Sequence, residues 1–411
     1  MTQNKIILAL CALCFYTTIV AQEAPKEEPK FGIQFSGFVK SDVFYDTRQT
    51  FAAREGHFLL YPMPENLDAQ KKDLNANAGF NMLPVESRLS GKISGPDAFG
   101  AKTSGLMEVD FFGQLETNSN LLRMRHAYVK LNWTSRELLL GQFWHALFIP
   151  QCFPATVSFN TGAPINPFAR NPQIRFTQQL GNFKFLAIAQ AQREYSSYGP
   201  VGYSSIYLRN SSLPDINGQI HYGKTSEGGK ELYAGLGAGY KILRPNLAVT
   251  KTVESFHTLA FVKFANAKFT AKAAGIYGNN LSDALMLGGY AIADTNTSSY
   301  TSLGVSSAWI DLHTNGKKIQ VGLFAGYTEM LGSSSNITGA YYSRELASTK
   351  GYIRSLQRIA PRIAFISGKT KFAFELEYTM AQFGKPNAKG IVMNTKDIAN
   401  IRGLIGVYYY F

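Results

Sequence analysis

Cysteine is almost missing from this chain: 411 residues hold three, at positions 11, 14 and 152. Cys11 and Cys14 fall in an N-terminal stretch, residues 1–21, that reads as a secretory signal peptide. Lys5 supplies the positive charge, Ile6 to Val20 is mostly apolar, and Ile19-Val20-Ala21 before Gln22 offers a cleavage point. Only Cys152 then remains, so no internal disulfide can form and the exported chain needs another source of stability. Cys152 itself is expected buried in a loop. Long apolar runs are also missing. The N-terminal run is short for a membrane span and broken by Tyr16-Thr17-Thr18, and no later segment reaches about 18 apolar residues, which excludes helical membrane spans. Acids are scarce, 28 against 41 Lys and Arg, and removing residues 1–21 takes the formal net charge only from +13 to +12.

That basic balance raises nucleic acid as a partner, but the charges alternate with apolar residues along strand-like segments and form no patch, so no nucleic-acid partner is expected. The six His residues, at 57, 126, 145, 221, 257 and 313, lack metal-ligand spacing. No Ser–His pair suggests a barrel hydrolase. The glycines of Gly235-Leu236-Gly237-Ala238-Gly239 lie mid-strand, where small residues suit close packing and not a phosphate cradle. No enzyme, cofactor or metal is expected.

Aromatic residues and period-two alternation are abundant instead. Counting back from the terminal Phe411, the alternate residues Tyr409, Val407, Ile405, Gly403 and Ile401 are apolar or small, while Arg402 opens the interleaved set and Tyr408 and Tyr410 close it. This is a strand with one apolar face, ending in aromatics of the kind that settle at a headgroup boundary. A terminal Phe behind such alternation resembles the signal read by the outer-membrane assembly machinery of Gram-negative bacteria, which makes that machinery an expected partner through Phe411.

The rest of the chain repeats the pattern. Strands are expected at 31–45, 84–94, 102–112, 121–133, 137–144, 173–179, 183–193, 216–223, 232–242, 256–264, 269–277, 300–311, 319–327, 353–366, 372–380 and 401–411. Strands cross lipid only as a closed barrel. The expected fold class is therefore all-β, a transmembrane antiparallel β-barrel of about 16 strands. It fills residues 31–411 as one domain behind a short periplasmic linker at 22–30. With both termini periplasmic, long segments should follow odd strands. They follow strands one, five, seven, nine, eleven, thirteen and fifteen, provided 287–293 belongs to a loop; eighteen strands is the alternative. Residues 46–82 form a long first extracellular loop placed to cap the mouth. Strand seven is irregular, with Leu186 and Ile188 on the face of Gln190 and Gln192; a bulge and a subunit contact are the two readings.

A barrel of this size encloses an aqueous lumen, so passive solute diffusion is the expected function. Charges lie opposite the apolar faces. Arg354, Arg358 and Arg362 share one face of strand fourteen, Glu375 and Glu377 one face of strand fifteen, and Arg402 lies on strand sixteen. Elsewhere Lys40, Arg88, Arg123, Arg125 and Arg175 oppose Glu108 and Asp110. Facing rows of charge orient an anionic solute while water remains; ordinary cross-strand ion pairs of at most about 1 kcal/mol each are the other reading. Outer-membrane lipid and lipopolysaccharide are the surroundings such a barrel needs, with loop Lys and Arg able to bridge phosphates.

The stretch Leu122-Arg123-Met124-Arg125-His126-Ala127-Tyr128-Val129, followed by Leu140-Gly141-Gln142-Phe143-Trp144, by the loop through Pro154–Asn160, and by Arg170-Asn171-Pro172-Gln173-Ile174-Arg175-Phe176, resembles the DcaP-type outer-membrane porins. The likeness is best over residues 84–180. It implies a sixteen-stranded homotrimeric porin passing small anionic solutes, dicarboxylates among them, through a pore constricted by the inward loop 145–171. It also puts Arg123 and Arg125 on the lumen wall and Arg170 and Arg175 near the constriction. The sequence departs from that type in lacking an N-terminal coiled coil. A phosphate-selective porin of the O and P kind, and an occluded barrel whose loops bind a partner, are the alternatives.

Overall fold

A computed structural model describes residues 31–113, 116–345 and 352–411; the signal-peptide and linker readings fall outside them. Sixteen strands form the wall. They are β1 (Gly32–Asp46), β2 (two pieces, Gly79–Leu83 and Arg88–Ser94), β3 (Lys102–Asp110), β4 (Arg123–Asn132), β5 (Arg136–Trp144), β6 (Arg170–Leu180), β7 (Phe183–Gln190) and β8 (Asp215–Ser226). The second half is β9 (Lys230–Leu243), β10 (Val253–Ala265), β11 (Phe269–Asn279), β12 (Gly304–Thr314), β13 (Ile319–Gly332), β14 (Tyr352–Ser367), β15 (Thr370–Pro386) and β16 (Val392–Tyr410). Each pairs antiparallel with the next, and β16 returns to β1 with Tyr410 opposite Phe38 and Arg402 opposite Asp46. Closure gives the strands backbone partners on both sides and leaves no edge, which is what hydrocarbon requires.

Alternation decides which way each side chain points. On β16, Ile401, Ile405 and Tyr409 are exposed to the outside, while Asn400, Arg402, Leu404 and Tyr408 are buried inside. The same apolar exterior continues through Phe372, Phe374 and Leu376 of β15 and Ile319, Val321 and Leu323 of β13. Between Tyr233 and Lys241 the inner row of β9 is glycine, at 235, 237 and 239. A Cβ on Gly239 would lie 2.3 Å from both Asn217 Oδ1 and His257 Nε2, so these glycines let neighbouring polar side chains pack inward.

Long connections follow every odd strand but β15, and residues 287–293 do lie in a loop, where Gly289–Asp294 joins a separate three-stranded sheet. Three boundaries differ from the sequence reading. β2 begins at Gly79, shortening the first loop. β15 and β16 extend to Pro386 and from Val392, so the segment after the fifteenth strand is wall and not loop; the alternation there is blurred by polar residues such as Asn394, Thr395 and Asp397. The segment after β3 is a long connection instead, since β3 ends at Asp110 and β4 starts at Arg123. The irregular β7 is explained by what it faces: Ile188 is buried inside, and Phe183 and Phe185 face outward.

What Ile188 meets is protein. The first loop does not cap the mouth but turns inward as a hairpin, Thr50–Ala53 with Phe58–Pro62, whose second strand is wholly buried. Residues 145–169 also fold inside. Phe58, Phe159 and Phe168 pack edge to face, as do Phe58 and Phe112, with ring centroids 5.1–6.1 Å apart, and Phe112 lies tilted on Phe159 at 4.5 Å. One apolar cluster runs from these loops to inner residues of β9–β15 such as Phe261, Trp309 and Phe324. An interior read as aqueous is thus partly dry, and the driving force is the usual one for burying aromatic area.

Candidate pore interior

The charges inside the wall fall into three groups. The first is an arginine cluster on β2–β6. A register shift between Glu108 and Val109 turns Arg123, Arg125 and His126 all inward from β4. Asp110 takes both Arg123 Nε and Nη2, at 3.0 and 2.8 Å, and Arg125 Nη1 at 2.9 Å. Glu108 accepts Arg125 Nε at 2.7 Å, with half-buried Arg88 3.8 Å away. Arg170 lies against the rings of Trp144 and Phe168, 4.9 and 5.2 Å from its guanidinium carbon. Glu194 ties the group together, pairing with Arg170 and, at 3.1 Å, with Arg123 Nη1. Burial pushes the Glu194 carboxyl up, but Arg170 and Arg123 outweigh it and hold the group below its ordinary range. Glu194 was not among the sequence candidates. A signal existed: it is the sole acid between Glu137 and Asp215.

The second group holds the inserted loops. Arg358 donates to the carbonyls of Ala163, at 2.6 Å, and Leu60, at 2.7 Å, while pairing with Glu377 at 3.2 Å. Glu375 accepts the backbone N–H groups of Val157 and Ser158 at 2.7 and 3.0 Å. Asn160 bridges Leu59 O and Glu377. Arg402 is paired with Asp46 and donates to Gly56 O and His57 O. Lys40 bonds Glu86, Asp42 and Val157 O. Arg362 pairs with Asp311, which also accepts the N–H of Ala155. A loop inside a barrel has backbone groups that no ladder satisfies, and these side chains supply the partners.

Arg175 stands in the third group. A cavity of about 270 Å³ opens on the side of the short turns, between the loop 145–169 and β4–β9. Lys130, Arg136, Arg175 and Lys184 line it against one acid, Glu137, which Lys130 takes at 2.9 Å. Arg175 is held by neutral acceptors, Gln173 Oε1 at 2.9 Å and Trp144 O at 3.1 Å, and lies over Phe143 at 5.0 Å. Among the described residues no carboxylate pairs with it.

Arg354 belongs to none of these. A bulge between Ile353 and Leu356 turns Ile353 inward and Arg354 to the opposite face, where it binds Glu329 at 2.7 Å and Val392 O. Its grouping with Arg358 and Arg362 is corrected on that ground: the period-two count skips a residue. Two clusters carry metal-type donors within 4.8 Å of one another, Asp42, His57 and Glu86, and His145, Asp215 and Asp283. In the first, buried Lys40 bridges Asp42 and Glu86, and in the second, buried Lys241 pairs with Asp283. A dication would meet that ammonium charge, so both read as ionic networks.

The closed barrel has an apolar exterior and an inward loop between β5 and β6. Its fold is similar to that of the DcaP outer-membrane channel of Acinetobacter baumannii, at a TM-score of 0.71 and 16% identity, over 93% of this chain and 97% of that one. OmpT, an outer-membrane protein of Vibrio cholerae, aligns at a TM-score of 0.53 and 11% identity, over 95% and 100%. An anion-selective porin from Comamonas acidovorans aligns at 0.53 and 12%, over 93% and 100%. The sequence itself matches no protein-family model and no curated protein. In fold, the chain is a closed sixteen-stranded antiparallel barrel similar to that of the DcaP channel.

Proposed function

We propose that the protein sits in the outer membrane as a passive channel for small anions, with dicarboxylates the solute class that the DcaP likeness suggests. The observation that carries this reading is Arg175, an inward guanidinium with only neutral partners at the wall of a basic vestibule. A full positive charge beside water attracts anions from the bulk, and rows of such charges set selectivity in wide pores. The route lies along β4–β8, since residues 152–163 of the loop are bonded to β1, β10–β12, β14 and β15 on the other side. The arginine cluster forms the next section of that route, and its acids leave Arg88 and Arg170 only partly matched.

Single-channel recording in planar bilayers under a KCl gradient tests it. The wild type should show a steady current with chloride favoured over potassium, and Arg175→Gln should lower that preference at least twofold. An unchanged reversal potential in the variant would remove Arg175 from the mechanism. A second reading, an occluded barrel, draws on the apolar cluster that joins both loops to the wall; absence of any current from correctly folded protein favours it.

A further inference from the structure

The outer wall carries a groove of about 560 Å³ on β7–β11, open to the side and lined by Phe183, Tyr222, Leu236, Val262, Ala260 and Gly275 among others. Its floor is made by small outward residues. Nothing inside the fold forces them to be small, for a Cβ on Gly275 would meet only Ser307 O, at 3.9 Å. A concavity in a lipid-facing wall leaves its lining short of dispersion contacts unless something fills it. At the short-turn end of the same strands stand Lys224 and Lys230, both exposed and on the outward-facing phase of β8 and β9. Neither has a hydrogen-bond or ion-pair partner among the described residues, while nearby Glu231 is taken inside by Lys263 at 2.7 Å. Glu227 in the turn leaves this rim one positive charge in excess.

Height fits the two features to one ligand. Six residues separate Lys230 from Leu236, about 20 Å of strand, or about 15 Å along the membrane normal at a tilt near 40°. That is half of a hydrocarbon core about 30 Å thick. We infer that this groove holds one acyl chain of an anionic phospholipid from the periplasmic leaflet, with the phosphate on Lys224 and Lys230. A second copy of the chain fits less well. Of the described acidic side chains exposed at this end of the barrel, Asp97 is already paired with Lys102 at 2.8 Å, so Glu227 is the one such side chain a copy could offer against the two lysines.

Native mass spectrometry of the full-length protein, delipidated and then offered phosphatidylglycerol or phosphatidylethanolamine, tests the assignment. The wild type should retain one phosphatidylglycerol through activation that strips phosphatidylethanolamine. Ala260→Trp, which fills the groove from the lipid side, should cut retention at least tenfold. Lys224→Gln with Lys230→Gln should erase the preference between the two lipids and leave the barrel intact by its gel mobility before heating. Gly275→Leu provides a second filling variant if Ala260→Trp fails to fold. Equal retention of both lipids by the wild type, or retention untouched by a folded filling variant, overturns the proposal. So does a filling variant that changes the number of subunits and not the lipid, which assigns the groove to a second copy.

Discussion

Glu375 is the most informative single side chain to perturb, because it holds the inserted loop 145–169 through backbone atoms alone. Its two oxygens accept the N–H groups of Val157 and Ser158 at 2.7 and 3.0 Å, in a buried setting. Hydrogen bonds to a charged group contribute about 1.5–3 kcal/mol each, against about 1 kcal/mol for a neutral one. Glu375→Gln keeps the shape but offers one carbonyl oxygen, and its NH₂ group faces the remaining N–H donor. The loss is about 3 kcal/mol, which raises the local opening equilibrium roughly 100-fold. Opening should stay local, since Asn160 remains tied to Glu377 at 2.9 Å and Ala163 O to Arg358 at 2.6 Å. Amide hydrogen exchange reads this directly: protection at Val157 and Ser158 should fall about 100-fold while Ala163, whose N–H bonds Asn160 O at 2.8 Å, changes little. Unchanged exchange at 157 and 158 would refute the latch, and an equal rise at Ala163 would show that the whole loop depends on this one carboxylate.

Asp110→Asn removes the acid shared by Arg123 and Arg125, leaving two buried guanidinium groups short of charge; unfolding, followed by urea-dependent gel mobility, should be easier by about 3–5 kcal/mol. Cys152 is 2% exposed and burial pushes its thiol up to about 11, so maleimide at pH 8 should label it only after denaturation. Burial also raises the Glu345 carboxyl from its ordinary 4.5 to about 7 in the loop before β14. Between those values the folded protein binds a proton that the unfolded chain releases, so stability should fall as pH rises from about 4.5 through 7 and then level off. Glu345→Gln should flatten that slope in thermal melts taken across the range.

The wall was legible because lipid imposes a single rule on every strand. Hydrocarbon outside demands Ile, Phe, Val or Leu at alternate positions, so strand number and direction follow from counting, and parity of long and short segments checks the count. The rule lapses wherever the environment on either side changes. Polar residues such as Asn394, Thr395 and Asp397 conceal that β16 runs on beyond the bilayer, and the bulge at Ile353 breaks the count that placed Arg354 inside. β7 misled for the reverse reason: its inner face packs on protein, so Ile188 looks like a lipid-facing residue on the wrong side.

The interior was less legible because alternation says that a side chain points inward and nothing about what it meets there. Arg358 and Arg175 look alike in sequence, each next to an Ile, at position 359 and 174, on a strand whose alternate residues point inward. One spends its donors on Ala163 O and Leu60 O of two separate loops, and the other stands over a cavity with neutral partners. The difference is set by loop residues about 195 and 298 positions away in the chain, beyond the reach of any local pattern. Desolvation then sorts the two roles. A guanidinium in a dry interior must have its donors met by fixed acceptors, whereas one beside water keeps its charge available to a passing solute. Arg358→Leu should therefore loosen the loops with little direct effect on ion preference, and Arg175→Gln should do the opposite; this separation follows from where water reaches, not from residue type.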